Sequence, residues 1–161
     1  MLTRDENRLR DLRWNKCKPW LQKALDQGLD EQMLLTTRLA PDMLPLAKQI
    51  QIASDTSKGA VARLTDTDNP AMADTETTIA ELQARIAATV AFIESIDRSA
   101  YDGAEDRDVV LPTPGGPVDF KGGAYLTGFA LPNFFFHVSI AYALLRHSGA
   151  QIGKLDYLGQ R

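Results

Sequence analysis

Scarcity is the most informative property of this chain. It has one cysteine, Cys17, in 161 residues, so neither an intrachain disulfide nor a thiolate metal cluster can form. It has two histidines, and both fall in one stretch, LPNFFFHVSIAYALLRHSG, residues 131–149. The sequence contains no H-E-x-x-H, no G-x-S-x-G, no P-loop and no G-x-G-x-x-G preceded by a strand, which removes the common signatures of zinc proteases, serine hydrolases and nucleotide binders. No apolar run approaches the roughly 20 residues of a membrane span. The opening MLTRDENRLRDLRWNK is charged throughout and lacks the apolar core of a signal peptide. A cytoplasmic protein with no membrane partner is expected.

Charge of one sign is also in short supply. The net charge is −3, which gives no reason to expect nucleic acid as a partner. Residues 1–23 are locally basic at +4, leaving −7 for the rest. Such a segment can touch phosphates or anionic lipid, or pair with its own acidic remainder. The 44% hydrophobic and 24% charged composition is that of a globular protein, and the length fits one domain over residues 1–161.

Hydrophobic periodicity predicts four helices. The first spans about residues 3–27, interrupted by Pro19 and stopped by Gly28. LDEQMLLTTRLAPDM follows as a connection with short helical turns. The second helix carries Met43, Leu46, Ala47, Ile50, Ala53, Ser57, Val61 and Leu64 on one stripe, with Asp42 as its cap and Pro45 in its first turn. The third opens on Thr78 and Glu81, a capping box, and repeats Ile79, Leu82, Ile86, Val90, Ile93 and Ile96. Val109–Leu111 and Val118–Phe120 flank PTPGGP and read as a short β-hairpin or ordered loop. The fourth helix runs from near Gly123 to Gly149, and Pro132 inside it must bend or divide it. The tail AQIGKLDYLGQR reads as extended, packed through Ile152, Leu155, Tyr157 and Leu158. Four amphipathic helices in one small chain make an all-α four-helix bundle.

On a helix at about 100° per residue, Asn133, His137 and Leu144 share one face. His137 therefore lies on an apolar stripe. His147 is about 80° around the axis and ~15 Å along it, so one metal ion cannot hold both. It occupies the last turn, where an imidazole meets free carbonyls and acts as an end cap. His137 has two readings: a hydrogen-bonded core histidine, or a metal ligand, general base or donor to a bound ligand. Phe134, Phe135 and Phe136 cover most of the helix circumference, so at least one ring must leave the core for an interface or pocket wall. On the second helix Gln51 and Asp55 are four apart and share a face. Either they look into the bundle near His137 or they are solvated.

RLAPDMLPLAKQIQIASD, ETTIAELQARIAATVAFI, LPNFFFHVSIAYALLRHSG and GKLDYLG resemble the signature stretches of a bacterial domain-of-unknown-function family in the DinB/YfiT-like superfamily of four-helix bundles. The resemblance runs from about Arg38 to Gly159. It implies a DinB-like bundle with the hairpin before its fourth helix, and pairing into a homodimer. In that superfamily three histidines hold a divalent metal, one from the second helix and two from an H-x-x-x-H on the fourth. Carried over, these positions become Gln51, Asn133 and His137. Amides are weak ligands for zinc or nickel, so the metal site is degenerate and no cofactor is expected, with His137 as the remaining candidate ligand. The implied pocket comprises Gln51, Asp55, Asn133 and His137, with no catalytic residue assigned. Two functions follow. One is a metal-free module that binds an unidentified small molecule or serves structure alone. The other is a metal- or thiol-dependent transferase or hydrolase using the cavity around His137 and a weakly held divalent metal.

Overall fold

The structure is a computed structural model that describes residues 17–159. The basic segment and most of the predicted first helix before Cys17 lie outside the described residues. Helix α1 spans Cys17–Asp26 and stops at Gly28, whose φ of +78° is a left-handed turn that favours glycine. Helix α2, Glu31–Thr36, is capped by the Asp30 carboxylate on the Met33 amide. Helix α3, Leu46–Thr65, begins at Pro45 rather than at Asp42: the cap residue is extended and makes no side-chain cap bond. Proline tolerates that position because its missing N–H has no helical partner to lose. Helix α4, Ile79–Ser95, opens on the expected Thr78–Glu81 capping box.

Strands β1, Asp108–Leu111, and β2, Val118–Lys121, pair antiparallel with Val109 opposite Phe120. Val109 and Leu111 point inward, Val110 outward, the alternation that a half-buried strand requires. Helix α5, Gly122–His147, follows at once. Pro132 neither divides nor ends it. A π turn at Leu126–Ala130, in which the Leu131 amide donates to the Leu126 carbonyl, precedes the proline. That wider turn absorbs the bond the proline cannot make and the crowding its ring would cause. By length and mean hydropathy (1.4) α5 could cross a membrane; Thr, Gly, Pro, Asn and Ser interrupt it, so no continuous apolar run betrays this.

Helix α3 packs on α4 and α5, and α1 packs on the same two helices, so α1 and α3 take opposite corners of a four-helix bundle. The core runs through Trp20, Leu21, Leu46, Ile50, Val61, Ile79, Leu82, Ile86, Phe134, Val138, Ala141 and Leu144. The hairpin is fastened to the start of α5 by rings: Phe120 lies 5.9 Å from Tyr125 and 6.4 Å from Phe129. The tail differs from expectation. Helix α6, Lys154–Leu158, docks by stacking Tyr157 on Trp20 at 5.5 Å and by Trp20 Nε1 donating to the Asp156 carbonyl. Ile152 is buried, whereas Leu155 is 73% exposed and Leu158 44%. A one-turn helix buries one side of itself, and Tyr157 takes that side.

Gly122 is fixed by a close approach. A Cβ there would sit 1.8 Å from the Ala104 carbonyl oxygen, a backbone atom that cannot step aside. Gly122→Ala is expected to destabilise the fold by about 3 kcal/mol, the upper part of the overpacking range. Gly115→Ala, whose Cβ would meet nothing nearer than 3.8 Å, should stay within about 0.5 kcal/mol. Urea unfolding of the two variants checks the contrast.

Candidate functional site

Two faces of α3 carry different chemistry. At about 100° per residue, Gln49 and Thr56 lie on one side, and Gln51, Asp55 and Lys58 on the opposite one. The first side meets α5. There His137 Nδ1 is 2.7 Å from Gln49 Oε1, and Gln49 Nε2 donates to the Leu44 carbonyl at 2.9 Å. That second bond settles the first. With the amide nitrogen committed to a carbonyl, the oxygen faces the imidazole and can only accept, so Nδ1 carries the proton. Neutral His137 therefore keeps its lone pair on Nε2. Burial lowers the His137 pKa below its ordinary value, which favours that neutral form.

One turn earlier Asn133 Nδ2 donates to Thr56 Oγ1 at 2.8 Å. The Phe136 ring stands edge-on to His137, centroids 5.2 Å apart. Phe134 is buried, while Phe135 and Phe136 are 47% and 53% exposed, so two rings of the run leave the core.

Gln51 and Asp55 do not join this group. They face α4 and the loop of residues 66–78, around the Arg85 guanidinium, whose side chain is only 2% exposed. Arg85 pairs with Asp55 at 2.8 Å, Asp74 at 3.0 Å and Glu76 at 2.9 Å, and donates to the Ala73 carbonyl. Gln51 Nε2 donates to the other Glu76 oxygen at 2.8 Å, and Lys58 pairs with Asp55 at 3.1 Å. Burial pushes the Glu76 carboxyl up, but hydrogen bonds from Arg85, its own backbone and Gln51, with the Arg85 charge, outweigh it and hold the group below its ordinary range. Asp74 is lowered in the same way, with Lys48 added. Of the four expected pocket residues the structure thus brings Asn133 and His137 to one seam and assigns Gln51 and Asp55 to a charged cluster behind α3.

The α3 side chain that meets His137 is Gln49, not Gln51, the position carried over from the resemblance. The residue on α3 that meets His137 is two positions before the one read from the sequence. Helical phase was the available signal: Gln49 is seven residues from Thr56 and four from Ala53, on the α5 side. As a metal centre the seam offers one imidazole, two amides and a hydroxyl, a donor set poorly suited to zinc or nickel. Among the described residues no group of three or more His, Cys, Asp or Glu side chains comes together to hold an ion. His147 ends α5 in an exposed position. Cys17 is buried, and burial pushes its thiol well above the ordinary range, which makes it inert as a nucleophile.

A four-helix bundle with a hairpin before its fourth bundle helix, α5, is a DinB-like fold. A crystal structure described as a DinB family member protein from Shewanella denitrificans is 34% identical to this chain, with a TM-score of 0.84, covering 97% of this chain and 94% of that one. The chain belongs to the family described as "Domain of unknown function (DUF1993)", matched over residues 15–158. That match takes in residues 15–27, part of the segment before Gly28 that the residue-level resemblance leaves aside. Among curated proteins none matches the chain.

Two predictions follow from opposite faces of α3. Because the folded state lowers the His137 pKa, unfolded chains bind the proton more readily. His137 should therefore cost stability as pH falls below about 6.5, by at most about 1.4 kcal/mol per pH unit. Asp74 and Glu76, with lowered pKa values, lose their contribution only below about pH 4. Urea unfolding of the wild type and His137→Gln from pH 7 to 5 separates the two, since only the wild type should show the upper slope. On the other face, Arg85→Met leaves Asp55, Asp74 and Glu76 without their guanidinium. A cost of about 2–3 kcal/mol is expected, below that of a fully buried pair because Asp55 and Asp74 are partly exposed. Hydrogen exchange should rise first in residues 66–78.

Proposed function

We propose that this chain is a metal-free binding module rather than a metal enzyme. In it, the place of the superfamily's metal centre has become a hydrogen-bonded seam between α3 and α5. The observation that carries this reading is the His137–Gln49 contact. Gln49, itself anchored on the Leu44 carbonyl, orients the ring through Nδ1, and among the described residues no group of three or more His, Cys, Asp or Glu side chains gathers with the free Nε2 to complete a metal centre. Asn133 is engaged with Thr56 in the same manner.

The acceptors left over indicate the ligand class. Neutral His137 retains the Nε2 lone pair, and Asn133 retains its carbonyl oxygen after its nitrogen donates. Such a pair favours a small uncharged molecule bearing N–H or O–H donors. The competing reading, a metal- or thiol-dependent transferase or hydrolase centred on His137, requires tight metal retention from one imidazole and neutral amides.

The deciding measurement is elemental mass spectrometry of untagged protein incubated with zinc, nickel, manganese or iron and then desalted. Well under one equivalent of any metal is expected to remain. Near-stoichiometric retention that disappears in His137→Ala would overturn the proposal and install the metal enzyme. The same variant should lose about 1–3 kcal/mol of stability, because it strands the buried Gln49 oxygen, whereas His147→Ala should cost under about 0.5 kcal/mol.

A further inference from the structure

At about 100° per residue the outward strip of α3 runs through Ile52, Asp55, Thr56, Gly59 and Arg63. The other four are half-buried, but Gly59, which has no side chain to fold away, is buried. Neighbouring side chains cover it. A Cβ on Gly59 would sit 2.6 Å from Arg63 Nη1 and 3.6 Å from Asn69 Nδ2. The Arg63 guanidinium therefore lies back along the helix, where Nη1 is 3.4 Å from the Tyr125 hydroxyl.

Folding alone does not ask for this glycine. Its φ is not positive, and the atom a Cβ would meet first is the free end of a long side chain, able to swing away. Glycine inside a helix costs about 1 kcal/mol relative to alanine. What it secures here is the place of the guanidinium, close against the backbone.

Around that place the unused groups are donors. The Tyr125 hydroxyl accepts from Arg63, and its own proton has no acceptor among the described residues. Burial pushes the phenol up against the pull of Arg63, so the hydroxyl keeps that proton at neutral pH. Asn69 accepts from Lys58 through Oδ1 at 3.3 Å, which leaves Nδ2 on the Gly59 side without an acceptor. Asn69 is exposed and Arg63 half-buried, so the group is open to solvent.

Charge favours the same class of ligand. Behind α3, Arg85, Lys48 and Lys58 are matched by Asp55, Asp74 and Glu76, three against three. Arg63 pairs with no carboxylate among the described residues. One guanidinium with two neutral donors suits a group carrying a single negative charge on two oxygens. A phosphate dianion would leave one charge unmatched. The Tyr125 ring stacks on the half-buried Phe129 at 6.0 Å, so an apolar surface borders the donors.

We propose that Arg63, Tyr125 and Asn69 form, over Gly59, a binding site for the carboxylate of a small organic acid with an apolar body. The guanidinium supplies charge and direction, and the phenol and amide complete the hydrogen bonds to the two oxygens. Arg63 is fourteen residues from Gln49 on α3, about 21 Å along the axis. The assignment does not depend on what the His137 seam binds.

Titration of the 15N-labelled full chain with benzoate, followed by amide chemical shifts, tests it. A dissociation constant of about 1 mM is expected, within reach of so small a ligand. Benzamide, which keeps the shape without the charge, and inorganic phosphate should each bind about tenfold more weakly or worse. Arg63→Met and Gly59→Ala should each raise the benzoate constant about tenfold, and Tyr125→Phe about threefold. Gly59→Ala should unfold at no lower temperature than the wild type, which separates a displaced guanidinium from a damaged helix. No benzoate binding up to about 50 mM, equal binding of benzamide, or binding unmoved by Arg63→Met overturns the proposal. Phosphate binding tighter than benzoate, and lost in Arg63→Met, would overturn the carboxylate assignment and make this a phosphate site.

Discussion

The Arg85 guanidinium sets the frame for everything else in this bundle. It is buried on α4 and meets carboxylates from α3 and from the loop that joins the two helices. A buried cation without partners is prohibitively costly, so the loop carrying Asp74 and Glu76 must close over it, and α3 must turn Asp55 towards it. That fixes the rotation of α3. Once Gln51, Asp55 and Lys58 are committed to α4, Gln49 and Thr56 can only face α5, and the His137 seam is defined. The two polar groups are thus linked through the phase of one helix, although they lie on its opposite sides.

This arrangement fixes the side chains of the seam in orientation. Gln49 cannot turn its amide without releasing the Leu44 carbonyl, and His137 cannot change tautomer without losing Gln49. The imidazole is held in orientation by its neighbour, as metal-bound histidines are by their outer partners, but without the companion imidazoles that would complete a centre. With Nδ1 bound to Gln49, the ring keeps a single directed lone pair on Nε2 that can accept one hydrogen bond.

Much of the fold was legible because it rests on local rules. The α4 capping box, the Gly28 stop, the hairpin around PTPGGP and the apolar stripes are decided by neighbours in sequence. The candidate site was half legible. Asn133 and His137 follow from spacing on one helix, whereas the choice between Gln49 and Gln51 depends on how α3 is rotated, which Arg85 decides from another helix. Nothing near Gln51 in sequence announces Glu76 or Arg85. The tail departs from expectation for a related reason: Leu155, Tyr157 and Leu158 look equivalent as apolar anchors, but only Tyr157 finds rings to stack on, and Trp20 and Tyr142 come from other helices. Sequence alone leaves Pro132 either to bend or to divide the helix, because the extra residue that lets the helix pass it leaves no compositional mark.

The π turn also bears on how relatives of different length are to be compared. It is one residue wound into an otherwise α-helical segment. A chain lacking that residue could present the same inner and outer faces through an ordinary helix. Residue numbers before Leu126 would then slip by one against those after Ala130, while the side chains kept their places in space. Equivalent positions on the two halves of α5 should therefore be matched separately, and a single-residue gap falling in this turn marks conserved shape rather than a lost element.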